Sequence, residues 1–338
     1  MQCRNLQESE KKNMCMAITF STKDHYFGRN LDLECSFGEA VAVTPRNYGF
    51  RFRKVKCLKH HYAMIGMAVM ADGYPLYCDA TNEYGVSMAG LNFPDNAYYP
   101  SESKGLDNIA PFEFIPWILG QCTSVEGALT LLEDINLVNV DFSEEMPLSP
   151  LHWIISDKEC SITVEPMEGG LRIFDNPVGV LTNNPPFDYQ MFNLNRYMGL
   201  SPKPPENRFS DKLILKKYSR GMGAIGLPGD MSSTSRFVKG VFTKMNSVSG
   251  DSEAESVSQF FHILASAEQQ RGCVEVGNGE FEHTVYSSCC NTDRGIYYYR
   301  TYDNSQIYGI DMFSENLDGD AVSVFPLKRD PEFTILNR

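Results

Sequence analysis

The pair Met14-Cys15 carries the most evident chemistry in this sequence. A methionine ahead of a small residue is removable, and its loss leaves Cys15 as the first residue of the chain. A free α-amine has a pKa of about 7.7–8.0, so near neutral pH it can take the proton of its own side-chain thiol. Nucleophile and general base then share one residue, and no histidine is needed. The chain has few that could serve otherwise, six in all. Downstream, the run His25-Tyr26-Phe27-Gly28-Arg29-Asn30-Leu31-Asp32 supplies a cation and a carboxylate. A cation beside a thiol lowers its pKa, and a carboxylate beside an ammonium orients it. On spacing alone, Arg29 and Asp32 read more readily as an ordinary ion pair than as catalytic groups.

These groups need rigid elements to bring them together. CMAITFS (15–21), HYFGRN (25–30) and AVAVTP (40–45) read as strands, the first two joined by a turn at Lys23-Asp24, so a hairpin returns Arg29 and Asp32 toward Cys15. Strand patterns continue over residues 62–69, 77–82 and 85–93. Helices are predicted over residues 111–121, with a break at Pro116, and after a capping box at Thr123 to Glu126. Strands return at 151–157, 160–166 and 171–175, and helices at 189–198, 235–245 and 253–269. The C-terminal part is β again, with Asn278-Gly279 as a two-residue hairpin turn and strands over 295–302 and 306–312. Alternating runs of strands and helices point to an α+β class with largely antiparallel sheets.

Composition narrows the function. The net charge of −13 over 338 residues disfavours nucleic acid as a partner. No apolar run reaches the length of a membrane span, and the polar start MQCRNLQESEKKN has no secretory h-region, which points to the cytoplasm. Ten cysteines without a Cys-x-x-Cys spacing give no support to a zinc or thioredoxin-like site, and most are expected to be reduced. No cofactor or metal is expected.

Several motifs are decoys. Gly221-Met-Gly-Ala-Ile-Gly226 matches a dinucleotide fingerprint, yet Leu227-Pro228-Gly229 follows it where a helix should open. His60-His61 reads as a surface loop, because adjacent strand residues face opposite sides. His262 reads as a core or boundary histidine on an apolar helical stripe.

At the level of longer motifs the chain becomes specific. The start from Cys15 to Asp32 resembles that of the choloylglycine hydrolase family, which includes bile salt hydrolases and penicillin V acylases. Further stretches agree in order and spacing: Thr44-Pro45-Arg46-Asn47-Tyr48, Ala89-Gly90-Leu91-Asn92-Phe93-Pro94, Leu181-Thr182-Asn183-Asn184-Pro185, and Gly226-Leu227-Pro228-Gly229-Asp230 running on to Arg236-Phe237. The tail Tyr298-Tyr299-Arg300-Thr301-Tyr302-Asp303-Asn304 is also similar. The resemblance spans residue 15 to about residue 330.

This resemblance implies a four-layer αββα N-terminal-nucleophile fold and a homotetramer. It makes Cys15 the nucleophile, with Arg29 supporting the thiolate and Asp32 holding the α-amine. Asn183 and Asn92 become oxyanion donors, where an amide donor contributes about 2.7–4 kcal/mol, and Arg236 adds positive potential. On their own, Asn92 and Asn183 read as turn residues satisfying backbone groups. Asn92 resembles the bile salt hydrolase branch, since penicillin V acylases tend to carry Tyr there. The implied substrate is a glycine- or taurine-conjugated bile acid, whose steroid asks for a mostly apolar pocket; Leu31 and Tyr62 are candidates for its wall.

Rival readings are a penicillin V or acyl-homoserine-lactone acylase, and an inactive relative that binds amphipathic anions. The second arises from residues 1–14, which read as a disordered leader ahead of one domain over residues 15–338. While attached, they make the Cys15 nitrogen a non-basic peptide amide. Three accounts of them stay open: a start placed too far upstream, removal by the protein itself or a protease, or retention in an inactive protein.

Overall fold

A computed structural model describes residues 14–337; the expected leader lies, but for Met14, outside the described residues. The chain starts as a hairpin, β1 (Cys15–Ser21) and β2 (His25–Leu33), followed by β3 (Ala40–Thr44), β4 (Met64–Ala71), β5 (Tyr74–Asn82) and β6 (Ser87–Asn92). A short parallel pair, β7 (Asp107–Ile109) and β8 (Ile135–Leu137), brackets α1 (Phe114–Leu119) and α2 (Val125–Leu132). Next come β9 (Leu151–Ser156), β10 (Ser161–Met167), β11 (Gly170–Asp175), the two-residue β12 (Val180–Leu181) and α3 (Phe187–Asn193). Two longer helices, α4 (Ser233–Asn246) and α5 (Glu253–Ala265), precede the hairpin β13 (Glu275–Gly277) and β14 (Glu280–Phe281). The described chain closes with β15 (His283–Asn291), β16 (Ile296–Thr301), β17 (Tyr308–Asp311) and β18 (Ser323–Pro326).

The strands assemble into two large antiparallel sheets. One runs β12-β1-β2-β15-β16-β17, the other β11-β10-β9-β6-β5-β4-β3-β18. They pack face to face, with β1 and β2 against β6. The outer face of the first sheet is covered by α4 and α5, and that of the second by α1 and α2. The order helix, sheet, sheet, helix is the expected four-layer αββα arrangement of an N-terminal-nucleophile hydrolase.

Local chemistry explains the elements. Val257, Phe260, Phe261 and Leu264 of α5 are buried at helical spacing, and Ser252 and Glu255 form a capping box at its start. Asn278 and Gly279 both have positive φ, 55° and 76°, as the tight turn between β13 and β14 requires. Some expectations need correction. Pro116 does not break its helix; it lies in the first turn of α1, where its missing N–H has no helical acceptor to lose. The cap of α2 is Ser124, which accepts from the Gly127 N–H; with glycine at that position no side chain returns the bond, so the predicted Thr123 box gives way to a simple cap one residue on. The short strands β12 and β18 were not legible, since neither is long enough to show a period. His61 is buried, its ring bonded to the carbonyls of Tyr62 and Tyr48 at 2.7 and 2.9 Å, whereas His262 is exposed. Eight described cysteines are free thiols and Cys35 is disulfide-bonded.

Gly28 is where the first sheet leaves no room for a side chain. A Cβ there meets the Ser288 carbonyl oxygen of β15 at 2.0 Å. Gly28→Ala is therefore expected to destabilise the protein by about 2 kcal/mol through strand displacement, read as a lowered denaturation midpoint. An unchanged midpoint refutes the close packing of β2 on β15.

Candidate active site

The register of the opening hairpin decides what surrounds Cys15. Cys15 pairs with Leu31 and Ala17 with Arg29, so these four share one face. That face looks toward the second sheet: Arg29 Nη1 donates to the carbonyls of Cys78 on β5 and Gly90 on β6, at 2.9 and 2.6 Å. Asp32 lies three residues beyond Arg29 and takes the opposite face. There its Oδ1 accepts from the Thr284 hydroxyl at 2.6 Å, and Arg236 Nη1 of α4 stands 3.8 Å from Oδ2. Arg29 and Asp32 are thus not an ion pair with each other. They lie on the two sides of the sheet that begins at Cys15.

Asn183 joins the two sides. It follows β12, and its Oδ1 accepts from the Cys15 N–H and from Arg236 Nη2, both at 2.8 Å. Its Nδ2 donates to the Asn92 carbonyl at the end of β6, at 2.7 Å. Arg236 also donates through Nη1 to the Cys15 carbonyl at 2.7 Å and through Nε to the Met231 carbonyl at 3.1 Å. Ser233 fixes the asparagine from behind by accepting from its N–H at 2.9 Å. Five expected residues, Cys15, Asp32, Asn92, Asn183 and Arg236, thus meet within a few hydrogen bonds, and Arg29 flanks the thiol. Asn92 is buried. Leu31 is buried directly opposite Cys15. Tyr62 sits elsewhere, edge-on to Tyr84 at 4.6 Å, in an open cavity of about 760 Å³ lined also by Arg46, His60 and Glu83. None of the other expected site residues lines that cavity.

Burial dominates the electrostatics. It pushes the Cys15 thiol up, with Arg29 pulling the other way. It raises Asp32 to about 6 against the opposing effects of Arg236, the Thr284 hydroxyl and Arg29. Burial works to lower Arg29, yet Cys15, Tyr286 and Asp79 outweigh it, so the guanidinium stays charged. Its Nη2 is buried with no hydrogen-bond partner, and its charge acts on the Cys15 thiol.

Sequence reasoning missed several participants. Asp79 is a buried carboxylate that accepts from the hydroxyls of Tyr286 and Tyr297 at 2.8 and 2.6 Å, and it balances the charge of Arg29. Glu282 accepts from the N–H of Met14. Their signal was only a lone acidic residue in an apolar strand and an acidic residue two before Thr284. His152, stacked on Phe93 at 4.2 Å, supports the asparagine loop by bonding to the Thr182 carbonyl at 2.7 Å.

Residues 15–325 match the model of the linear amide C–N hydrolases, choloylglycine hydrolase family. The chain is 54% identical to the bile salt hydrolase/transferase of Lactiplantibacillus plantarum, over 96% of this chain and all of that one. It is 40% identical to the bile salt hydrolase/transferase of Clostridium perfringens, over 92% and 96% of the two chains. A solved mutant of the Clostridium perfringens conjugated bile acid hydrolase superposes with a TM-score of 0.88 at 37% identity, covering 96% of this chain and 100% of that one. The penicillin V acylase of Agrobacterium tumefaciens shares the fold, with a TM-score of 0.70 at 20% identity over 92% and 90% of the chains. Four motif residues gathered around Cys15 and a match over nearly the whole length lead to one conclusion: the chain belongs to the choloylglycine hydrolase family of linear amide C–N hydrolases.

Proposed function

We propose that this enzyme hydrolyses the amide bond of glycine- or taurine-conjugated bile acids, with the Cys15 thiol as nucleophile. The observation that carries the reading is the three-way junction at Asn183, which ties the Cys15 nitrogen, Arg236 and Asn92 into one rigid unit. The relative that is 54% identical bears a bile salt hydrolase name, which supports the substrate class. With Met14 attached, the Cys15 nitrogen is a peptide amide and no base. The working enzyme therefore begins at Cys15, whether residues 1–14 are cut away or the start lies at Met14, and the family match beginning at residue 15 fits both.

In the mature site the α-amine takes the proton of the Cys15 thiol, and Arg29 stabilises the thiolate. The thiolate attacks the amide carbonyl, and Asn183 and Asn92 meet the oxyanion. Collapse breaks the carbon–nitrogen bond as the amine leaves with the proton from the α-ammonium. Water, deprotonated by the same α-amine, then cleaves the thioester and regenerates the thiol. Asp32 and Arg236 hold the terminus in place throughout.

The test is an intact mass with N-terminal sequencing, run beside turnover of glycocholate and penicillin V. The expected result is a chain beginning at Cys15 that releases glycine and leaves penicillin V largely uncut. A chain that retains Met14 and still cleaves glycocholate overturns the mechanism; preferential cleavage of penicillin V overturns the substrate.

We also propose a homotetramer in the cytoplasm. Phe192, Met198, Phe209, Ile214, Tyr218 and Ile225 are all largely exposed along one stretch of the chain, apolar side chains that a second subunit would cover. No described helix is long and apolar enough to cross a membrane. Light scattering on the purified protein reads the assembly directly.

A further inference from the structure

A second carboxylate faces the nitrogen side of Cys15, and the mechanism above assigns it nothing. Glu282 lies between β14 and β15, 1% exposed, and its Oε1 accepts from the Met14 N–H. Its backbone is held by the Val274 carbonyl at 2.9 Å. Two residues on, Thr284 bonds to Asp32 at 2.6 Å, so the same run of chain positions both acids. Asp32 Oδ2 is buried without a hydrogen-bond partner.

A buried carboxylate needs a donor. Met14 supplies it to Glu282 only while Met14 is attached. Once the chain begins at Cys15, as the proposed function holds, that donor leaves. The new α-amine then lies roughly 3.5 Å from the vacated position, one residue's reach along the chain.

We propose that Glu282 is a positioning residue of the mature enzyme, the partner of Asp32 in holding the α-amine of Cys15. The inference rests on the proposed function. Two carboxylates favour the ammonium form and fix which hydrogen points to the thiol. The other charged or titratable groups around the nitrogen are Arg29 and Glu34 on or beside β2, Arg236 on α4, Glu268 after α5 and the Cys15 thiol itself. Burial first, with Asp32 and Glu34 adding to it, pushes Glu282 up to about 8 against the Met14 N–H and Arg236; an ammonium neighbour draws it back down.

The base must be neutral to act, so the acid limb of the kcat/KM profile reports the α-amine. Glu282→Gln keeps shape and removes charge. It is expected to move that limb to lower pH by about 1 unit and to lower kcat several-fold, with KM little changed. Glu282→Asp is expected to bring the limb back toward the native position. Mass spectra of native and variant protein accompany each profile. An unmoved limb in a Glu282→Gln chain that begins at Cys15 overturns the proposal. A variant that keeps Met14 where the native protein loses it assigns Glu282 to the precursor and also overturns it. A native chain that keeps Met14 overturns both this inference and the reading beneath it. Should Glu282→Gln not fold, NMR titration of the native α-amine decides: a pKa above the ordinary 7.7–8.0 supports the proposal, and one at or below it overturns it.

Discussion

Cys15→Ser is expected to lower amide hydrolysis by roughly 10³–10⁴-fold while the two sheets stay intact. The exchange is close in volume at a site only 3% exposed; the Cys15 backbone bonds to Asn183 and Arg236 are untouched, and a hydroxyl can still meet the Asp32 N–H that faces the thiol. Stability should therefore change little. The chemistry changes greatly, because a hydroxyl is far less acidic than a thiol. The Arg29 charge then acts on a neutral hydroxyl that the α-amine cannot deprotonate to a useful extent. Circular dichroism and initial rates of glycine release check the two halves separately. A Cys15→Ser protein with native activity removes Cys15 from the role of nucleophile. An unfolded one shows instead that the thiol contributes packing the structure does not reveal.

The chemistry was legible in the sequence where one residue type carries it. A cysteine after a methionine, a cation and a carboxylate in the returning strand, and two asparagine motifs name the parts. What the sequence could not show is which face each part takes. Arg29 and Asp32 are three apart in a strand, and period-two alternation sends them to opposite faces. The reading as an ordinary ion pair fails for that reason: their partners are the Cys78 and Gly90 carbonyls on one side and Thr284 with Arg236 on the other. Asn183 read as a turn residue satisfying backbone groups, and it does bond to two of them, the Cys15 N–H and the Asn92 carbonyl. Their position on the reacting residue makes the bonds functional.

The architecture was legible through its periodicities, and lost where elements are short. Strands β1 to β6 and helices α4 and α5 follow from alternation and apolar spacing. The strand β12 has two residues, yet it delivers Asn183 to Cys15 through pairs Ala17–Leu181 and Ile18–Val180. Glu282 carried little signal beyond its place two residues before Thr284, because its partner is a backbone N–H distant in sequence. Long-range backbone contacts of this kind leave no mark in local pattern.

Asn183→Ala is expected to lower kcat by about 10²–10³-fold, the loss of one oxyanion donor, with a smaller effect on KM. The side chain has two functions that separate by variant. Its Oδ1 accepts from Cys15 and Arg236, and its Nδ2 spends one hydrogen on Asn92, leaving a second for the developing charge. Asn183→Ala deletes both functions. It leaves the 1%-exposed Arg236 short of an acceptor, so about 1–3 kcal/mol of stability goes as well. Asn183→Asp keeps the acceptor for Cys15 and Arg236 but puts an oxygen where Nδ2 stood. If the donor is what matters, the aspartate variant is as slow as the alanine one yet more stable than it, since Arg236 retains its partner. If the terminus alone matters, the aspartate variant keeps most of its activity. Turnover rates and denaturation midpoints of the two variants, taken together, separate the oxyanion role from the anchoring role. Two active variants remove Asn183 from catalysis and leave the junction a purely structural one.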